Sequence, residues 1–110
     1  MMNDDYGALM VYDTGPSTLI GFKSLEIVDD NQLDKFREPL QQLIDEHKTE
    51  SLVVDLSGVK SVSSGVLGFL FHLHRQGVKV SLYNPSSHIR EVLQITQLGN
   101  LFPEVDMPQS

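Results

Sequence analysis

The sequence predicts an α/β domain: a mixed sheet of four to five strands with helices packed against it. Three observations lead there. Apolar runs of strand length alternate with stretches of helical periodicity, in the order β-β-α-β-α-β-α. The segments between them are short, and strand–helix–strand units with short loops imply parallel strands joined by right-handed crossovers. The first two strands are separated only by turn residues, which adds an antiparallel pair and makes the sheet mixed. A chain of 110 residues fits one domain. Residues 1–110 are therefore read as a single unit, with 1–7 and 104–110 as flexible ends.

Ala8–Tyr12, "ALMVY", is a short apolar run. Asp13-Thr14-Gly15-Pro16 supplies turn chemistry, and Thr18–Phe22, "TLIGF", reads as the returning strand of a hairpin. Gly21 inside it marks a bulge or a close approach of backbone. Asp29, Asp30 and Asn31 offer helix caps, with Asp34 three residues after Asn31 in capping-box spacing. Leu33, Phe36, Leu40, Leu43 and Ile44 then recur at helical spacing, while Pro39 inside that pattern predicts a kink or a break. Leu52–Leu56, "LVVDL", runs apolar residues together without alternation and predicts a buried central strand. A second helix is expected over 65–76, ended by Gly77. Val78–Tyr83 alternates as a strand, and Asn84-Pro85-Ser86-Ser87 is a turn leading into a third helix through Ile89, Val92, Leu93 and Ile95. The tail "LGNLFPEV" has two breakers and room for a last short strand or helix.

Bulk properties exclude several functions. Hydrophobic residues make up 40% of the chain, enough for a core and too many for a disordered segment. There is no cysteine, so disulfide scaffolds and thiolate metal sites are excluded. No basic n-region with a long apolar h-region opens the chain, and no apolar run approaches the roughly 20 residues of a membrane span. A soluble, cytoplasmic protein is expected. Acidic residues outnumber basic ones 15 to 8, and a net charge of -7 repels phosphate backbones, which argues against direct nucleic-acid binding.

The stretch Val59–Gly68, "VKSVSSGVLG", places three serines and two glycines between a buried strand and an apolar helix. On its own it is helix-capping chemistry, with Ser63 as N-cap and Ser64 in the first turn. In context it carries a resemblance. From Val53 to Phe102 the chain is similar, without a gap, to the STAS domain of anti-sigma factor antagonists. It shares the apolar strand with Asp55-Leu56-Ser57-Gly58-Val59, the amphipathic helix ended by glycine, Asn84-Pro85, Val92-Leu93 with Thr96 and Leu98, and the closing Leu101-Phe102.

The resemblance implies a STAS-like domain that is not an enzyme and carries no cofactor. It implies an antagonist that captures an anti-sigma serine kinase when unphosphorylated, freeing a sigma factor and so regulating transcription. The kinase would bring ATP and Mg²⁺, and a phosphatase could reverse the modification. The family's acceptor serine falls on Ser64, flanked by Ser63 and Gly65. Ser63 stands where the family carries an aspartate, Gly65 takes the small-residue position, Val66 replaces a glycine, and Gln97 replaces part of a threonine–glycine pair. An alternative within the same resemblance is an accessory subunit of a membrane transporter, or a scaffold, with no phosphorylation cycle. A third is a small-molecule sensor with a pocket near the same helix.

The physics of the site supports a switch. First-turn N–H groups lack partners and the helix dipole favours an anion there, so a phosphate on Ser64 can be held locally. The same charge opposes burial in an interface. The helix after Ser64 is apolar nearly all round, which leaves two options: a covered core helix, or one with an outer docking face through Val66, Phe69 and Leu73. Gly68 in mid-helix suggests close packing or close approach of a partner. His72 and His74, two apart on a helix, point to different sides and do not form a metal pair. No nucleophile elbow, phosphate loop or dinucleotide fingerprint is present.

Overall fold

In the computed structural model, which describes residues 9–23 and 26–105, β1 (Leu9–Asp13) and β2 (Ser17–Phe22) form the antiparallel hairpin that the turn residues called for. Their register slips between Val11 and Asp13, so the bulge falls at Tyr12, on the strand opposite Gly21. The Tyr12 ring lies over Gly21, where a Cβ would come within 2.8 Å of a ring carbon. Close approach is thus the role of that glycine. At the turn, the buried hydroxyls of Thr18 and Thr49 meet at 2.8 Å with the Gly15 carbonyl 3.1 and 2.9 Å away, so one hydroxyl donates to the other and that one donates to the carbonyl. No buried side-chain polar atom among the described residues is left without a partner.

The chain continues through β3 (Ile27–Val28), α1 (Asp30–His47), β4 (Ser51–Asp55), β5 (Ser61–Val62), α2 (Ser64–Arg75), β6 (Lys79–Tyr83), α3 (Ser87–Thr96) and a 3₁₀ turn, Leu98–Asn100. The main sheet has the order β1-β2-β4-β6, with β2, β4 and β6 parallel. Past its outer strand, the Leu82 N–H donates to the Pro103 carbonyl and the Val105 N–H to the Leu82 carbonyl, both at 2.9 Å. Glu104 and Val105 are therefore placed against β6 instead of opening a flexible tail. The expectations for 1–7 and 106–110 lie outside the described residues.

Three readings need correction. The "LVVDL" strand is central, between β2 and β6, but only one of its faces is fully buried. Leu52 and Val54 are sealed into the core, while Ser51, Val53 and Asp55 on the other face are half-buried. The helices cover one face of the sheet, and a run of apolar residues does not by itself show a second layer. Second, of the kink or break expected at Pro39, the break is absent: α1 is one helix from Asp30 to His47. Leu40, Leu43 and Ile44 beyond the proline are buried, and their burial outweighs one missing hydrogen bond. Third, the capping box of α1 is Asp29 with Gln32, not Asn31 with Asp34.

The core joins Leu9, Ile20, Leu52, Val54, Val80 and Leu82 of the sheet to Leu33, Phe36, Leu40 and Leu43 of α1, Leu70 and Leu73 of α2, and Ile89 and Leu93 of α3. Each fully buried leucine contributes about 1.5–3 kcal/mol of hydrophobic stabilisation. β3 and β5 were not foreseen. They form a separate parallel ribbon, Ile27 beside Ser61 and Val28 beside Val62. Each strand leads through one linking residue into a helix, Asp29 into α1 and Ser63 into α2. The ribbon therefore sets the N-termini of α1 and α2 side by side.

Candidate functional site

Ser64 is the first residue of α2 and is exposed. The local sequence explains this placement. Val62 ends in the ribbon, and the Ser63 N–H donates to the Val28 carbonyl at 2.9 Å, which fixes where the helix begins. Ser63 is extended (φ −75°, ψ 162°), and its Oγ accepts from the Val66 N–H at 3.2 Å. It is the N-cap that the sequence assigned. The next side chain, Ser64, points outward at the positive end of the helix.

Ser63 has a second bond. Its hydroxyl donates to Oδ1 of Asp30, the first residue of α1, at 2.8 Å. The same Asp30 carboxylate lies against Gly65, and a Cβ on that glycine would collide with Oδ1. The sequence offers Asp30 as one of three candidate caps of α1. Instead Asp29 caps α1, and Asp30 is released to reach across to α2. Periodicity could not reveal this, because two-residue strands carry no pattern.

The outer face of α2 differs from the one expected. Val66, Phe69 and Leu73 are buried at 2%, 7% and 0% exposure, so they are core residues and not contacts for a partner. With Leu67 and Leu70 they fill the inner side of the helix, because the sheet and α1 occupy that side. The exposed stripe runs Ser64, Gly68, Phe71 and Arg75, at the i, i+4, i+7, i+11 spacing of one helical face. Phe71 remains 37% exposed. A Cβ on Gly68 would meet nothing within 4 Å, so no internal packing requires that glycine.

Beside this stripe runs an open apolar groove of ≈ 270 Å³ between α2 and α3. Ser64, Gly68 and Phe71 line it from α2, Val92 and Thr96 from α3, and Leu98 from the 3₁₀ turn. No acidic side chain stands in the first turn of α2. His72 hydrogen-bonds Gln76 at 3.0 Å, and His74 stacks on Phe71. Among the described residues no three His, Asp or Glu side chains converge as metal ligands, and no helix is long and apolar enough to cross a membrane.

The family model described as "Mlab, STAS domain" matches residues 26–103. The chain belongs to the STAS domain family. The match spans the ribbon, both helix N-termini and the α3 wall of the groove. No curated protein matches the chain. Among solved structures, it is similar to the Bacillus cell-fate determinant SpoIIAA in its phosphorylated form, at 21% identity over 93% of each chain with a TM-score of 0.66. It is also similar to the anti-sigma factor antagonist SpoIIAA in its unphosphorylated form, at 16% identity over 94% of this chain and 90% of that one, with a TM-score of 0.65. These likenesses show a shared fold: one α/β STAS domain with a mixed four-stranded sheet and three helices.

Proposed function

We propose that this STAS domain is an anti-sigma factor antagonist whose binding to an anti-sigma serine kinase is switched off by phosphorylation of Ser64. The observation that carries this reading is the placement of Ser64. It is an exposed hydroxyl on the first residue of a helix, lining an apolar groove, in a fold shared with a protein known in phosphorylated and unphosphorylated forms.

The unmodified surface offers a partner the Ser64–Gly68–Phe71 stripe and the groove beside it. A phosphate adds about 1.5–2 negative charges at the groove lining. The first-turn N–H groups of α2 can hold that phosphate without unfolding the helix. A partner covering the groove would have to bury the charge, which is unfavourable unless it is paired. Phosphorylation thus opposes docking while leaving the domain intact.

One observation favours a second reading, the accessory or scaffold subunit. Ser63 replaces the acid of the family motif, and its hydroxyl is committed to Asp30 and Val66. A single experiment separates the two. The protein is immobilised either unmodified or with phosphoserine installed at position 64 during translation, and each form is exposed to host cell extract. The switch predicts an ATP-dependent serine kinase retained by the unmodified form alone. Retention of the same proteins by both forms, a transport ATPase among them, favours the accessory reading.

A further inference from the structure

The ribbon of β3 and β5 brings two helix N-termini together, and one carboxylate stands between them. Asp30 Oδ1 accepts the Ser63 hydroxyl at 2.8 Å and presses against Gly65. It therefore touches the residues on both sides of Ser64. Other charges nearby are engaged elsewhere or further off. The Asp29 carboxylate accepts from the Asn31 and Gln32 N–H groups. Lys60, before β5, pairs with Glu26 at 3.8 Å. On α2 nothing is charged before the histidines and Arg75 of its last turn, and α3 contributes His88, Arg90 and Glu91 from its exposed side. Arg90 is held by Glu104.

We propose that Asp30 is the positioning acid of the Ser64 site, holding the first turn of α2 in its unmodified form and opposing a phosphate on Ser64. The proposal rests on Ser64 being the modified residue. In the unmodified state Asp30 fixes the Ser63 hydroxyl, so that the Ser63 lone pair faces the Val66 N–H and the Ser64 side chain is presented outward. It supplies from α1 a negative charge that the motif lacks at position 63. In the modified state a phosphate and the Asp30 carboxylate compete for one positive helix end. Like charges at short range disfavour each other's ionised form. The phosphate displaces the carboxylate outward, so modification changes the charge at both helix N-termini.

The test installs phosphoserine at position 64 during translation, which removes dependence on any kinase. The second ionisation of the phosphate, ordinarily near about pH 6, is followed by ³¹P NMR in the otherwise wild-type protein and in Asp30→Asn, Asp30→Glu and Asp34→Asn variants. Asparagine is nearly isosteric with Asp30 and keeps an acceptor for Ser63. Asp30→Asn is expected to lower the phosphate pKa by about half a unit or more, as removal of a like charge a few ångströms away requires. Asp30→Glu should keep it near the wild-type value. Asp34→Asn, one helical turn along α1 and beside Arg37, should leave it unchanged. A phosphate pKa that ignores Asp30→Asn, or that falls equally with Asp34→Asn, overturns the assignment. Absence of phosphate on Ser64 in cells, with the Asp30 effect intact, would instead count against the functional reading alone.

Discussion

Alanine should stabilise the protein at Gly68 but not at Gly65, although the two glycines lie in the same helix, three residues apart. At Gly68 the space for a Cβ is open within 4 Å, and the residue sits in an exposed helix interior. Replacing glycine by alanine there reduces the freedom of the unfolded chain without adding strain. The expected gain is about 0.8–1 kcal/mol, the helix-propensity difference between the two residues. With a urea dependence of about 1.5 kcal/mol per M, the midpoint should rise by about 0.6 M.

At Gly65 the same propensity gain meets an obstacle, because the new methyl occupies the position of the Asp30 carboxylate and lies 3.4 Å from a Leu33 methyl. Displacing Asp30 breaks a hydrogen bond to a charged acceptor, worth about 1.5 kcal/mol. That loss offsets the gain, so Gly65→Ala should leave the midpoint unchanged or lower it. Equilibrium urea unfolding, followed by far-UV circular dichroism at one pH, measures both. If Gly65→Ala stabilises as much as Gly68→Ala, Asp30 is not held against α2. If Gly68→Ala destabilises, that face of α2 is packed against something in the free protein.

The two sides of α2 should also separate folding from docking. Leu73→Ala, at a fully buried position, should lower stability by about 2–5 kcal/mol, whereas Phe71→Glu on the exposed stripe should change it by about 0.5 kcal/mol or less while abolishing retention of the partner. Denaturant midpoints and the immobilised-protein assay read these independently. The Arg90 side chain donates to both carboxylate oxygens of Glu104, at 2.8 and 3.0 Å, and this hydrogen bonding holds Glu104 below the usual carboxylate range. A carboxylate with a lowered folded-state pKa contributes stability above its unfolded pKa and loses it as pH falls through the folded value. Glu104→Gln should therefore lower the urea midpoint slightly at neutral pH and flatten its fall below about pH 4.3, so that the two proteins converge in acid. The effect is small because the pair is open to solvent.

Much of the fold was legible because its signals are local. The Asp13–Pro16 turn, the 3.6-residue recurrence from Leu33 to Ile44, the Ser63 cap and the glycine after α2 each depend on residues close in sequence. The N-cap of α2 is Ser63, as its local sequence implies. What escaped depends on tertiary neighbours. The ribbon strands have two residues each, too few to show alternation. Which side of an almost wholly apolar helix faces inward is set by where the sheet lies, so Val66, Phe69 and Leu73 were assigned to the outside and Phe71 was not. The bond from Asp30 to Ser63 spans 33 residues and exists only because the ribbon aligns two helix starts. The Asp29-Asp30 pair held the one available hint, since a helix needs a single N-cap and the second acid was free for another role.

The most direct test of the account is phosphate mapping. The protein and a Ser64→Ala variant are incubated with host cell extract and ATP, then analysed by intact mass and peptide sequencing. A single phosphate on Ser64, absent from the variant, is the predicted result. An unmodified protein, or a phosphate that persists in Ser64→Ala, would contradict the switch and leave Ser64 as a first-turn residue of α2.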